Sequence, residues 1–160
     1  MLIEKLGKTR GMLLDSLEGL TENQLNAKPR TGGLSIGQIV HHLYVSERDT
    51  ATLILNALSS RSERVEDKAP SLLAACLQKD CGEEKATADR FSKGELIRWL
   101  EESRFRDLQS VFNETHEDVL AERSLEHPLF GPISLKNLVD TIWIHDEFHC
   151  KQIAAIKQSL

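Results

Sequence analysis

The sequence predicts an all-α protein built as one four-helix bundle. Four long blocks carry apolar residues at helical spacing, and two of them open on a capping signal. Strand signals are nearly absent: aromatic residues make up 5% of the chain, Val is sparse, and no Asn-Gly or Asp-Gly turn separates alternating runs. The length, 160 residues, suits a single domain spanning 1–160, with no internal repeat and no low-complexity tract.

The first block runs from about Leu2 to Leu20, with Leu2, Leu6, Leu13, Leu17 and Leu20 at helical spacing. A polar connection follows from Thr21, and its Pro29 and Gly32-Gly33 cannot continue a helix. The second block opens at Ser35, with Gln38 three residues on as a capping box, and reaches about Ser59. The third opens at Ser92 with Glu95 as a second capping box and reaches about Asn113. The fourth starts at Ser134, just after Gly131-Pro132, and ends near Gln158. The connections are long, roughly 14, 32 and 20 residues, and a structureless loop of the middle length is unusual in a compact domain. Its apolar patch therefore predicts a short extra helix from Ser71 to about Lys79, while the charged Arg61–Lys68 run reads as solvated surface.

Composition narrows the function classes. The apolar fraction of 40% and charged fraction of 28% are those of a soluble globular protein. A net charge of −5 supplies no basic field for nucleic acid. No uninterrupted apolar stretch has the length of a membrane span, and the first residues lack the apolar core of a signal peptide, so the expected location is cytoplasmic. Cys76, Cys81 and Cys150 form no CxxC pair and fit a reducing compartment as structural or incidental thiols.

Six histidines are the unusual polar resource, and four fall in two helices: His41 and His42 in the second block, His145 and His149 in the fourth. With His145 at zero and about 100° per residue, His149 lies near 40° and Leu138, Ile142, Leu135, Ile153 and Ile156 between roughly 20° and 80°. Both histidines thus point into the apolar stripe, one turn apart. Unpaired buried imidazoles cost on the order of 1–3 kcal/mol each, and a shared metal ion answers both. Cys150 lies near 140° on the same wheel, about 100° from His149 and further from His145, and is not expected to be a ligand. On the second helix His42 flanks the apolar face, while His41 lies on its far side, solvent-facing or supporting a ligand without being one. His42 is the candidate third ligand. His116 and His127, in the last connection, read as surface or loop-capping residues, and Trp99 and Trp143 as packing residues.

At these residues the chain resembles a known family. The stretch Gly33-Leu-Ser-Ile-Gly-Gln-Ile-Val-His-His-Leu43 looks like the first motif of the DinB-like (DinB/YfiT) superfamily, Trp-Ser with a histidine seven residues after the serine, followed by leucine. His127-Pro128, Gly131-Pro132-Ile133-Ser134, Trp143, His145, His149 and Gln152-Ile153 resemble its C-terminal motif, and the resemblance extends over essentially the whole chain. It implies a metal site on His42, His145 and His149, an up-down-down-up bundle and often a homodimer. Leu34 replaces the usual tryptophan and Asp146 a common glutamate, which bears on pocket shape and on any carboxylate role.

Other metal readings fail on spacing. His145-Asp-Glu-Phe-His149 displaces the glutamate of a zincin HExxH motif, and only 11 residues follow it. No Glu-x-x-His pair exists for a di-iron site. Three imidazoles leave a divalent ion (Ni, Zn, Fe or Co) with an open position, the mark of a catalytic site. That position can activate water or hold a thiolate, and the resemblance implies either a metal-dependent hydrolase or a low-molecular-weight-thiol S-transferase acting on a small molecule. A non-catalytic metal- or small-molecule-binding bundle is the alternative. Candidate general bases are Glu47, Asp49 and Asp146, each of which is otherwise an ordinary surface charge.

Overall fold

The computed structural model describes residues 1–79, 87 and 89–160; Cys81 lies outside them. Helix α1 covers Leu2–Leu17 and stops at Glu18, beyond which Gly19 takes a left-handed φ of 74° that turns the chain away. Helix α3 (Ile36–Leu58) begins at the anticipated capping box, with Ser35 Oγ accepting from the Gln38 N–H and the Gln38 side chain accepting from the Ser35 N–H. The short extra helix is α4 (Pro70–Gln78), with proline in its first position. The third long block is helical from α5 (Lys93–Glu102) through a π-helical turn at Ser103–Leu108 into α6 (Gln109–Glu114). The last helix, α8 (Leu135–Lys157), is capped by Ser134 Oγ, which accepts from the Asn137 N–H.

Three features depart from the sequence expectation. Residues after Thr21 form a one-turn helix, α2 (Glu22–Asn26), under a Thr21–Gln24 capping box before the chain becomes irregular. The connection before α8 holds a further short helix, α7 (Glu117–Glu122), and a two-stranded antiparallel ribbon. Strand β1 (Ser124–His127) pairs with β2 (Gly131–Ser134) so that Ser124 faces Ser134 and His127 faces Gly131. Strands of four residues with a proline in one of them show no alternation to read, and Gly131 supplies the positive φ of 68° that closes the turn.

The core has two apolar clusters. In one, Leu2 and Leu6 of α1 meet Ala51 and Ile54 of α3, Leu108 and Val111 of the third long helix, and Leu135 through Ile144 of α8. In the other, Leu13 and Leu17 meet Ile36 through Leu43, Leu96 and Leu100, and Cys150, Ile153 and Ile156. Helices α1 and α8 therefore run from the first cluster to the second, and α3 and the third long helix run back, which is an up-down-down-up order. Helix α8 packs on both α1 and α3, and α3 also on α5 and the π-helical turn. The parallel pair α3 and α5 requires a connection that recrosses the bundle, hence the long loop carrying α4. Among the described residues, no helix is long and apolar enough to cross a membrane.

Ser134 ends the ribbon and caps α8, and it is fully buried. Ser134→Ala is expected to cost about 1–2 kcal/mol in urea denaturation, because the Asn137 N–H loses its acceptor. A change within error would show that another group caps α8.

Candidate metal centre

Between the two apolar clusters each long helix contributes polar residues to one buried layer. Helix α1 gives Arg10, α3 gives His42 and Glu47, the third long helix gives Ser103 and Arg104, and α8 gives His145, Asp146 and His149. The layer has two halves: a histidine cluster and a charged network.

Three imidazoles converge in the histidine half. Nε2 of His145 lies 3.0 Å from Nε2 of His42 and 3.0 Å from Nε2 of His149. Ligand atoms of all three lie within 4.8 Å of one another. His145 and His149 come from successive turns of α8 and are almost completely buried; His42 enters from α3. A hydrogen bond between two ring nitrogens needs one proton, and the His145 Nε2 cannot donate to one neighbour and accept from the other at once. Two contacts of 3.0 Å on that one atom suit lone pairs shared by a cation, since metal–imidazole bonds of about 2.0–2.1 Å place ligand nitrogens roughly 3.0–3.4 Å apart. His149 Nδ1 lies 2.6 Å from Gln152 Oε1, an acceptor that puts the ring proton on Nδ1 and leaves the Nε2 lone pair directed to the cluster. Burial, then the proximity of His149 and His42, holds His145 well below the usual imidazole range, in the neutral form a metal requires.

The charged half joins all four long helices. Glu47 Oε2 accepts from Arg10 Nη2 at 2.5 Å and from Ser103 Oγ at 3.0 Å, while Oε1 accepts from Arg104 Nε at 2.6 Å. Asp146 Oδ2 lies 3.5 Å from both Arg10 Nε and Arg104 Nη2. Each arginine also donates to a backbone carbonyl across the bundle, Arg10 to Leu100 at 2.9 Å and Arg104 to Leu6 at 3.0 Å. The π-helical turn adds a residue to the helical register where Ser103 and Arg104 enter the layer. Burial pushes the Asp146 carboxyl up to about 6 even though Arg10 opposes it.

The candidate residues thus divide. His42, His145 and His149 come together. Glu47 and Asp146 are buried rather than surface charges, and both line the cavity beside the histidines. Asp49 is an exposed carboxylate at the rim, 3.7 Å from Arg48. His41, expected on the solvent side, is instead half-buried, stacked on Phe91 at 5.2 Å and edge-on to Trp99 at 5.5 Å, and it also lines the cavity beside His42. Cys150 packs in the second apolar cluster, and burial pushes its thiol up to about 11. Trp143 packs against the first cluster and Trp99 against the second, as anticipated, and His116 is exposed. His127 caps its turn, Nδ1 accepting from the Leu129 N–H at 3.0 Å, but with Leu129 and Phe130 it also walls the histidine cavity, a placement the sequence reading missed. Arg10, Ser103 and Arg104 were missed as well; only their place in the bundle marks them.

An up-down-down-up bundle with three histidines converging from two helices defines a class of helical proteins with a candidate metal centre. Residues 5–153 match the DinB superfamily model, and the chain belongs to that superfamily. The uncharacterized protein YuaE of Bacillus subtilis is 24% identical over 152 residues, covering 91% of each chain. Among solved structures, YfiT of Bacillus subtilis, described as a probable metal-dependent hydrolase with an unusual four-helix bundle topology, superposes with a TM-score of 0.69 at 21% identity, covering 98% of this chain and 84% of that one. TT2238, described as a four-helix bundle protein, superposes with a TM-score of 0.64 at 18% identity and 96% coverage of each chain.

Glu47→Gln removes the charge that both arginines share and is expected to cost about 3–5 kcal/mol, the range for breaking a buried ion pair. Urea denaturation of the purified variant measures it. A loss below about 1 kcal/mol would mean that the network contributes little to stability.

Proposed function

We propose that the protein is a metal-dependent hydrolase of a small molecule, with one divalent transition-metal ion (Ni, Zn or Fe) bound by Nε2 of His42, His145 and His149. The observation that carries this reading is the convergence of the three Nε2 atoms in a buried layer that opens on a cavity of about 190 Å³. The description of YfiT as a probable metal-dependent hydrolase supports it. An ion on three imidazoles keeps a position open and supplies Lewis-acid chemistry that brings the pKa of water towards neutrality.

The chain's own groups complete the site. Gln152 fixes the His149 tautomer, so that its Nε2 is available without a change of protonation. Asp146, in the cavity wall beside His145, is the carboxylate proposed to accept a proton from a cavity-bound molecule. Glu47 holds Arg10 and Arg104, and the two guanidiniums steady Asp146 from behind. At the entrance Asp49 is paired with Arg48 at 3.7 Å.

His42→Ala, His145→Ala and His149→Ala are each expected to lose most of the bound metal, whereas His41→Ala keeps it. At free metal about 100 times Kd, the metal-dependent stability lost is about 2.7 kcal/mol. Metal analysis of protein purified without a nickel column, with melting curves with and without chelator, measures both. Retention of metal by His42→Ala together with its loss from His41→Ala would overturn the ligand set.

Gln152→Leu is expected to weaken metal binding about 10- to 100-fold with the fold intact, by competition against a chelator. Unchanged affinity would remove Gln152 from the site. Asp146→Asn is expected to keep the metal and lower turnover about 10²- to 10⁴-fold in an ester and amide hydrolysis screen. Metal-dependent conjugation of a small thiol, with no hydrolysis, would move the activity to thiol transfer.

A further inference from the structure

The β-ribbon and its turn contribute His127, Leu129 and Phe130 to the lining of the histidine cavity, and His127 has a donor with no acceptor among the described residues. His127, the last residue of β1, is half-buried with its ring 4.9 Å from that of Phe130. Its Nδ1 accepts the Leu129 N–H, so in the neutral ring the proton sits on Nε2. Burial holds His127 below the usual imidazole range, and no carboxylate among the described residues opposes this. The Nε2–H has no acceptor among the described residues, and the residue lines the same cavity as His42 and His145.

The rest of the lining defines what that donor would meet. Leu53, Leu129, Phe130, Leu138 and Ile142 give the cavity an apolar surface. Glu47, Asp49 and Asp146 are the charged residues of the lining, and no lysine or arginine is among the described ones. The arginines that neutralise Glu47 and Asp146 line a different cavity and Arg48 is paired with Asp49, so among the described residues the lining itself offers an anionic ligand no lysine or arginine. A space of about 190 Å³ holds on the order of six waters, or one molecule of similar bulk.

We propose that His127 is a specificity-determining residue whose Nε2–H receives a neutral oxygen, such as an amide or ester carbonyl, of a small uncharged substrate with an apolar body. This rests on the three-histidine metal reading, since the substrate's other end would occupy the position open at the metal. The ribbon then sets the distance between the metal ligands and the oxygen the substrate must carry.

The test uses the full-length protein loaded with Co(II) and three small thiols, read by the sulfur-to-cobalt charge-transfer band in the near ultraviolet. N-acetylcysteamine carries a neutral amide oxygen, 3-mercaptopropionate an anionic carboxylate, and butanethiol no acceptor. The wild type is expected to bind N-acetylcysteamine about three- to tenfold more tightly than butanethiol, and 3-mercaptopropionate most weakly. His127→Phe, which keeps a ring against Phe130 but removes the donor, is expected to abolish the preference for N-acetylcysteamine and leave butanethiol and cobalt content unchanged. His127→Asn, which can accept from the Leu129 N–H and still donate, is expected to restore part of that preference. Equal binding of N-acetylcysteamine by wild type and His127→Phe, with cobalt bound in both, overturns the role of His127 and leaves the metal reading standing. Tightest binding of 3-mercaptopropionate by the wild type overturns the neutral-substrate assignment. Failure of the wild type to bind cobalt overturns the metal reading, and this inference with it.

Discussion

A polar layer lies across the middle of a bundle whose two ends are apolar, and its charges constrain where each helix can sit. Glu47 takes hydrogen bonds from Arg10, Ser103 and Arg104, and Asp146 faces the same two guanidiniums. One element from each long helix is therefore fixed at the same height. Sliding any helix by a turn would move a buried charge into an apolar cluster, where its desolvation would go uncompensated. The apolar clusters alone do not impose this, because leucines and isoleucines at the two ends can repack at modest cost. The electrostatic layer specifies the register and the hydrophobic clusters supply the bulk of the burial.

That constraint is what presents three histidines to one point. His145 precedes Asp146, so the carboxylate that holds α8 against Arg10 and Arg104 also sets the rotation of α8. His42 stands on α3 five residues before Glu47, a little over one turn, and the arginines holding Glu47 set the height of α3. Helix α8 is buried on nearly every side, and its polar residues are held in place: Asn137 and Trp143 donate to Asp140, and His149 to Gln152. A site on rigid helices braced by such contacts keeps its geometry better than one on loops. The ribbon and its His127 add the wall that gives the site a cavity rather than an open groove.

Much of this was legible in the chain. The helices begin at Ser35, Ser92 and Ser134 because a side-chain oxygen there accepts an otherwise unpaired N–H, a signal confined to four residues. The same signal at Thr21 and Gln24 marked α2 and went unread beside the proline and glycines that follow. The helical wheel separated His42 from His41 because the two differ by about 100° around one axis, but His41 does not face solvent: it is half-buried against Phe91 and Trp99 and lines the same cavity as His42. The ribbon was not legible, since four-residue strands carry too few alternations to outweigh a proline and a glycine.

By itself, then, the sequence determined the four long helices, the caps at Ser35, Ser92 and Ser134, and the helix faces that carry His42, His145 and His149, because each depends on periodicity or on contacts within a few residues. Tertiary structure alone decided that Glu47 and Asp146 are buried, that Asp49 stays at the rim, and that Arg10 and Arg104 belong to the layer. An arginine on a helix looks the same in sequence whether it meets water or a buried carboxylate. Its partners stand 37 and 136 positions from Arg10, and only the packing of four helices brings those charges within hydrogen-bonding or ion-pairing distance.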